Sequence, residues 1–215
     1  LGIASAYIVM HMFFMDGLIN RNDDVAMLGY VSGELFTDIP SEYMVHINVL
    51  VGYLLKALFI SSPDFNWYAI FLQTLVLAGL FFGTLAISRN IFADRQNEFP
   101  LLLLLVLLVC FAVYFSLHIT YTSIAIYLAC STLLYWFSFS GKKLPVTAVI
   151  LISTLFALSS LIRVNSILMV FAVSTPLLAI LLINRESRTG LFGTMSLTAV
   201  LVLGGIMFHS NYEQS

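Results

Sequence analysis

The chain has 215 residues, of which 60% are hydrophobic and only 9% charged, with a formal net charge of −2 at pH 7. Its mean hydropathy is +1.01. An ordinary soluble domain carries about 25% charged residues, so this composition excludes one, and with a net charge of −2 nothing in it suggests a nucleic-acid partner. Several apolar runs approach or exceed the roughly 18 residues that cross a bilayer. The expected fold is therefore all-α and polytopic in a membrane.

The first expected span covers residues 1–18 and carries His11 and Asp16. The chain opens inside an apolar run without an initiating Met and ends soon after another. It is therefore expected to be a module of a longer protein. A cleaved signal peptide is a poor account of the first run, because no small-residue cleavage site precedes the polar stretch that follows.

That stretch opens with Asn22-Asp23-Asp24-Val25-Ala26-Met27. It sets two adjacent carboxylates just outside the hydrocarbon, where ionisable groups are costly and are by default a functional hint. The plain alternative is a surface helix capped by Asn22, with the aspartates at its positive end. Glu34, Asp38 and Glu42 follow against a single Arg21. Gly29, Gly33 and Thr37-Asp38-Ile39-Pro40 predict a short helix and a turn.

Residues 46–60 are apolar enough to be a span, but the run is short and contains Lys56. At about 100° per residue, His46, Asn48, Gly52, Tyr53 and Lys56 fall on one side of a helix. Ile47, Leu50, Val51, Leu54, Leu55 and Leu58 fall on the other. This is the pattern of a helix lying in the interface. Ser61-Ser62-Pro63-Asp64 ends it.

Six further spans are expected over residues 67–87, 99–117, 120–139, 144–162, 166–183 and 191–208. Cys110 and Cys130 lie in these runs with no metal-ligand spacing, as packed thiols do. Trp67, Tyr68, Tyr135 and Trp136 sit near segment ends, where aromatic belts form. Arg89, Arg95, Lys142, Lys143, Arg185 and Arg188 all fall in alternate loops, six of the nine Lys and Arg residues. The positive-inside rule makes those loops cytoplasmic. With residues 46–60 lying flat, residues 20–66 become one external loop carrying two interfacial helices, and the spans number seven.

One span, an external loop opening on an acidic pair, two loop helices and six further spans resemble the N-terminal module of the GT-C class of membrane glycosyltransferases. The local sequences are similar too. Asn22-Asp23-Asp24-Val25-Ala26-Met27 is similar to the acidic motif at the start of the first external loop. Pro40-Ser41-Glu42-Tyr43, Gly52-Tyr53-Leu54-Leu55-Lys56-Ala57-Leu58-Phe59 and Pro63-Asp64-Phe65-Asn66-Trp67-Tyr68 look like the second loop helix and its exit. The C-terminal spans or soluble domain that many members carry, where acceptors are often recognised, are not among these 215 residues.

The resemblance implies transfer of a sugar from a polyprenyl-phosphate-linked donor to a glycan, lipid or protein acceptor, among the lipids at the outer face of a bacterial cell membrane. Such a transfer needs a base for the acceptor hydroxyl and positive charge for the departing phosphate. Asp23 and Asp24 can supply the base, hold a divalent cation (Mg or Mn), or both. The resemblance assigns the base to the pair without choosing its member, and Asp23 is taken first. Arg163 stands alone between Lys143 and Arg185 at the outer end of a span. Its planar fork suits a phosphate, or equally a lipid headgroup. Asn165 can donate to sugar or phosphate, or cap the next helix. His118, with Thr120, Tyr121 and Thr122, ends another hairpin on the same side. His46 and Lys56 share the polar side of the loop helix, where Lys56 can also snorkel.

Two other readings compete. In a transporter or lipid flippase, Asp23, Asp24 and Arg163 would be gates, but transporters place charges near the midplane in broken helices and carry repeated halves. A non-catalytic relative of the glycosyltransferases would keep the layout without the chemistry.

Overall fold

The structure, a computed structural model, describes residues 2, 5–9, 18–19, 22–34, 39–93, 98–140, 142–176, 178–179 and 185–213. Most of the expected first span, with His11 and Asp16, lies outside the described residues, as do Arg21, Asp38 and Arg95. Within that span residues 5–9 are helical.

Among the described residues the chain is all-α apart from two two-residue strands, β1 (Leu18–Ile19) and β2 (His118–Ile119). The longer helices among the described residues are α1 (Asn22–Ser32), α2 (Val49–Ser61), α3 (Trp67–Ala93), α4 (Glu98–Leu117), α5 (Tyr121–Phe137), α6 (Val146–Ile162), α7 (Val164–Val173) and α8 (Arg185–Glu213). Among the described residues three helices are long and apolar enough to cross a membrane, over Trp67–Arg89, Phe99–Leu117 and Gly190–Ser210.

Packing centres on α5. It lies against α3, α6 and α7, while α4 packs on α3 and α8 on α6. One buried cluster joins Met27, Leu55, Tyr68, Leu72, Ile119 and Ile124. A second, around Trp136, Ile152, Phe156 and Ile167, fills the space between α5, α6 and α7. The outer helices turn apolar surface outward instead. Only 17% of the Phe99–Leu117 stretch is buried, so Leu102, Leu103, Val106, Leu107 and Phe111 are exposed along it. Apolar patches of this extent need a non-aqueous or protein surround, which is consistent with a membrane protein.

Several boundaries differ from the sequence expectation, each for a physical reason. Helix α3 continues to Ala93 and α8 begins at Arg185, so parts of the loops expected at 88–98 and 184–190 are helical. Polar residues report where hydrocarbon ends, not where backbone hydrogen bonding ends. The span expected at 166–183 is interrupted: α7 stops at Val173, and after a turn at Ser174 helical residues resume at Thr175, Pro176, Leu178 and Ala179. Pro176 has no N–H to give the carbonyl four residues earlier, so the break falls in the turn before it, and the proline sits in the first turn of the resumed helix, where its missing donor costs nothing.

The two helices in the polar region form with clear stops. Gly29 is carried inside α1, whereas Gly33, at φ 82°, ends it. Helix α2 is entered through Asn48, whose side chain accepts from the Leu50 N–H. Its buried stripe is Val49, Val51, Gly52, Leu55 and Phe59, while Leu50, Tyr53, Leu54 and Ile60 are exposed. This differs from the expected polar and apolar sides, because Gly52 packs inward. A Cβ at that position would lie 1.8 Å from the Glu42 carbonyl oxygen. Only glycine lets the loop approach so closely. The same approach lets Lys56 form an ion pair with Glu42.

Candidate functional site

The site grows from the two short strands. β1 and β2 pair in parallel, Leu18 with His118 and Ile19 with Ile119. The residues just before α1 are thereby tied to those just before α5. The N-termini of the two helices meet although almost a hundred residues separate them.

Asp24 seals that junction. It is fully buried. Its Oδ1 accepts from the Tyr68 hydroxyl at 2.7 Å and from the Tyr121 backbone N–H at 3.1 Å. Thr120, which occupies the N-cap of α5, makes no side-chain capping bond. A carboxyl group from α1 therefore fills the capping role, where a negative group also suits the helix dipole. Asp23 is exposed, one residue earlier. Successive residues on a helix differ by about 100° in direction, so one aspartate points into the core while the other faces outward.

Arg163 is the only residue between α6 and α7, in extended conformation at φ −159° and ψ 107°. It is half-buried. Its Nη1 donates to the Tyr121 hydroxyl at 2.7 Å and to Thr122 Oγ1 at 2.6 Å. The guanidinium carbon lies 5.2 Å from the Tyr121 ring centroid, within cation–π range. His46 stacks on that ring, with centroids 6.0 Å apart and planes at 14°.

Two cavities share Arg163 as a wall. The smaller, about 200 Å³, is lined by Asp23, Asp24, Thr120, Tyr121, Thr122, Ser123 and Arg163. The larger, about 380 Å³, includes His46, Asn48, Arg163, Asn165 and His209 in its lining and, among the described residues, no carboxylate. Asn48 holds its floor together. Its N–H donates to the Leu161 carbonyl at 2.8 Å, and its Nδ2 donates to the Gly205 carbonyl at 2.9 Å. His209 Nδ1 accepts from the Val49 N–H at 3.4 Å.

Of the residues singled out from sequence, Asp23, Asp24 and Arg163 meet at the smaller cavity, and His46, Asn165 and Arg163 at the larger. The other two lie elsewhere. The His118 ring packs on Tyr114 at 4.8 Å between centroids, and Lys56 is paired with Glu42; neither lines either cavity. Sequence reasoning missed His209 and the role of Tyr68. A histidine at the far end of an apolar segment was the available signal for the first. Tyr68 reads as a belt aromatic until its partner is known.

Among the described residues no group of three or more His, Cys, Asp or Glu side chains is placed to hold a metal ion. A magnesium or manganese ion at Asp23 and Asp24 would need most of its six oxygens from water and substrate. No protein-family model, curated protein or solved structure matches the chain.

Proposed function

We propose that this chain is a membrane-embedded glycosyltransferase of the GT-C type. In this reading it moves a sugar from a polyprenyl-phosphate-linked donor to an acceptor hydroxyl at the outer face of a bacterial cell membrane. It has seven spans, with α1 and α2 as the helices of the first external loop. The exposed Leu50, Tyr53, Leu54 and Ile60 would be the stripe of α2 that meets lipid.

The observation that carries the reading is the partition of charge about Arg163. An exposed carboxylate, Asp23, lines the cavity on one side, and a cavity lined, among the described residues, by two histidines and no carboxylate lies on the other. Two substrates with opposite needs fit this partition. The acceptor hydroxyl lies on the acidic side, where Asp23 takes its proton. The hydroxyl oxygen bonds to the anomeric carbon of the sugar. The bond from that carbon to the phosphate oxygen breaks, and the phosphate leaves with the electron pair. Nη1 of Arg163 is held by two hydroxyls, and the rest of its fork is available to that phosphate. A positioned base contributes roughly 10²–10⁴-fold to such a step. Neither Asp24 nor a metal is assigned a step.

The test is release of polyprenyl phosphate from polyprenyl-phosphate-linked hexoses and pentoses by detergent-solubilised protein. The expected result is release by the wild type and loss of it in Asp23→Asn. Absence of release with every donor, by protein that remains folded, would overturn the reading.

A further inference from the structure

We propose that Tyr121 is a positioning residue for Arg163 and that Asp24 is its anchor. The two form a clamp that fixes the guanidinium between the two cavities. The inference rests on the functional reading for its purpose, and on geometry alone for its existence.

Tyr121 is almost fully buried and is held from several directions. Its backbone N–H is fixed by Asp24 Oδ1, which the Tyr68 hydroxyl fixes in turn. Its ring carries His46 and lies under the guanidinium. Its hydroxyl accepts from Nη1, beside Thr122 Oγ1. An arginine side chain has several rotatable bonds, and fixing its head group costs the rotamer freedom of all of them. Arg163 sits alone between two helices, so its backbone leaves its head group poorly constrained. The restraint comes from the first turn of α5, and that turn is in place because a carboxyl from α1 caps it.

The arrangement separates the roles of the acidic pair. Asp23 faces the cavity, whereas Asp24 acts through Tyr121. A role as anchor needs an acceptor oxygen at Oδ1 and no negative charge. Asparagine supplies that oxygen and alanine does not. A role as proton acceptor would need the charge.

The experiment reads Arg163 directly. Full-length chain in detergent is treated with phenylglyoxal, and modification at Arg163 is followed by peptide mapping. Tyr121→Phe keeps the ring and the fold but removes the hydroxyl. It is expected to raise the modification rate at least about tenfold, the lower end of what losing a hydrogen bond to a charged group amounts to. Asp24→Ala is expected to raise it similarly, and Asp24→Asn to restore protection close to wild type. Where Asp24→Ala fails to fold, Tyr121→Phe and Asp24→Asn carry the test. An unchanged rate in Tyr121→Phe would overturn the clamp, as would an Asp24→Asn protein as reactive as Tyr121→Phe. The readout needs no turnover, so a wild type that transfers no sugar sinks the functional reading while this measurement still decides the clamp.

Discussion

Replacing Arg163 with lysine tests whether a planar fork, and not merely a positive charge, is needed between the cavities. The guanidinium makes hydrogen bonds of 2.7 and 2.6 Å to Tyr121 and Thr122 through Nη1 alone. Its remaining donors are left for the larger cavity. A lysine ammonium is a single point with three donors. With two donors on the hydroxyls it offers an anion at most one, where the guanidinium keeps its Nε and Nη2 donors in a planar fork. Each hydrogen bond to a charged group is worth about 1.5–3 kcal/mol. Losing one such bond to a bound phosphate corresponds to roughly a 10- to 150-fold weaker Kd. The assay is calorimetric titration of farnesyl phosphate into detergent-solubilised protein, wild type against Arg163→Lys, with thermal midpoints measured alongside. Equal affinities in two equally stable proteins would refute the reasoning. Arg163 would then serve to tie α5 to the junction of α6 and α7.

Three other outcomes are expected. Asp23→Asn loses about 10²–10⁴-fold in transfer rate while its thermal midpoint stays near wild type, since the residue is exposed. Gly52→Ala sets a methyl 1.8 Å from a backbone oxygen and costs about 1–3 kcal/mol or more, read as a lower midpoint. In a background lacking Cys110 and Cys130, Ser41→Cys and Asp64→Cys are both labelled from outside intact cells by an impermeant thiol reagent; labelling from opposite sides would mean that residues 46–60 cross the membrane.

The helical class and the approximate positions of the long helices were legible because composition and run length report hydrocarbon exposure directly. The break at Ser174 was harder to see, since Ser174, Thr175 and Pro176 interrupt an otherwise apolar run too briefly to alter its hydropathy. The acidic pair and Arg163 were legible as charges standing out from an apolar background. Their division of labour was not. Asp23 and Asp24 are chemically identical, and only the partners Tyr68 and Tyr121, 44 and 97 residues from Asp24, distinguish them. Lys56 shows the same limit, since its ion pair with Glu42 depends on a loop approach that Gly52 permits. Periodicity sorts residues by face but does not say what a face meets.

The ends of the helices around Arg163 carry one more consequence. The first N–H of α5 is met by Asp24. Those at the start of α2 are met by Asn48 and His209. The start of α7 is different, because its N-cap is Arg163, which supplies no side-chain acceptor. Val164 and Asn165, the first two residues of α7, line the larger cavity beside the guanidinium. A helix start next to an arginine favours an anion. Asn165→Asp places a carboxylate there. It should stabilise α7 by about 0.3–1 kcal/mol, as an acidic residue in a first helical turn does. The same carboxylate competes for Arg163 and repels an incoming phosphate. The variant should therefore bind farnesyl phosphate several-fold more weakly, and the deficit should shrink as salt screens the exposed charge. Stability and affinity then move in opposite directions. If Asn165→Asp is more stable yet binds farnesyl phosphate as wild type does at low salt, the anion does not occupy the larger cavity.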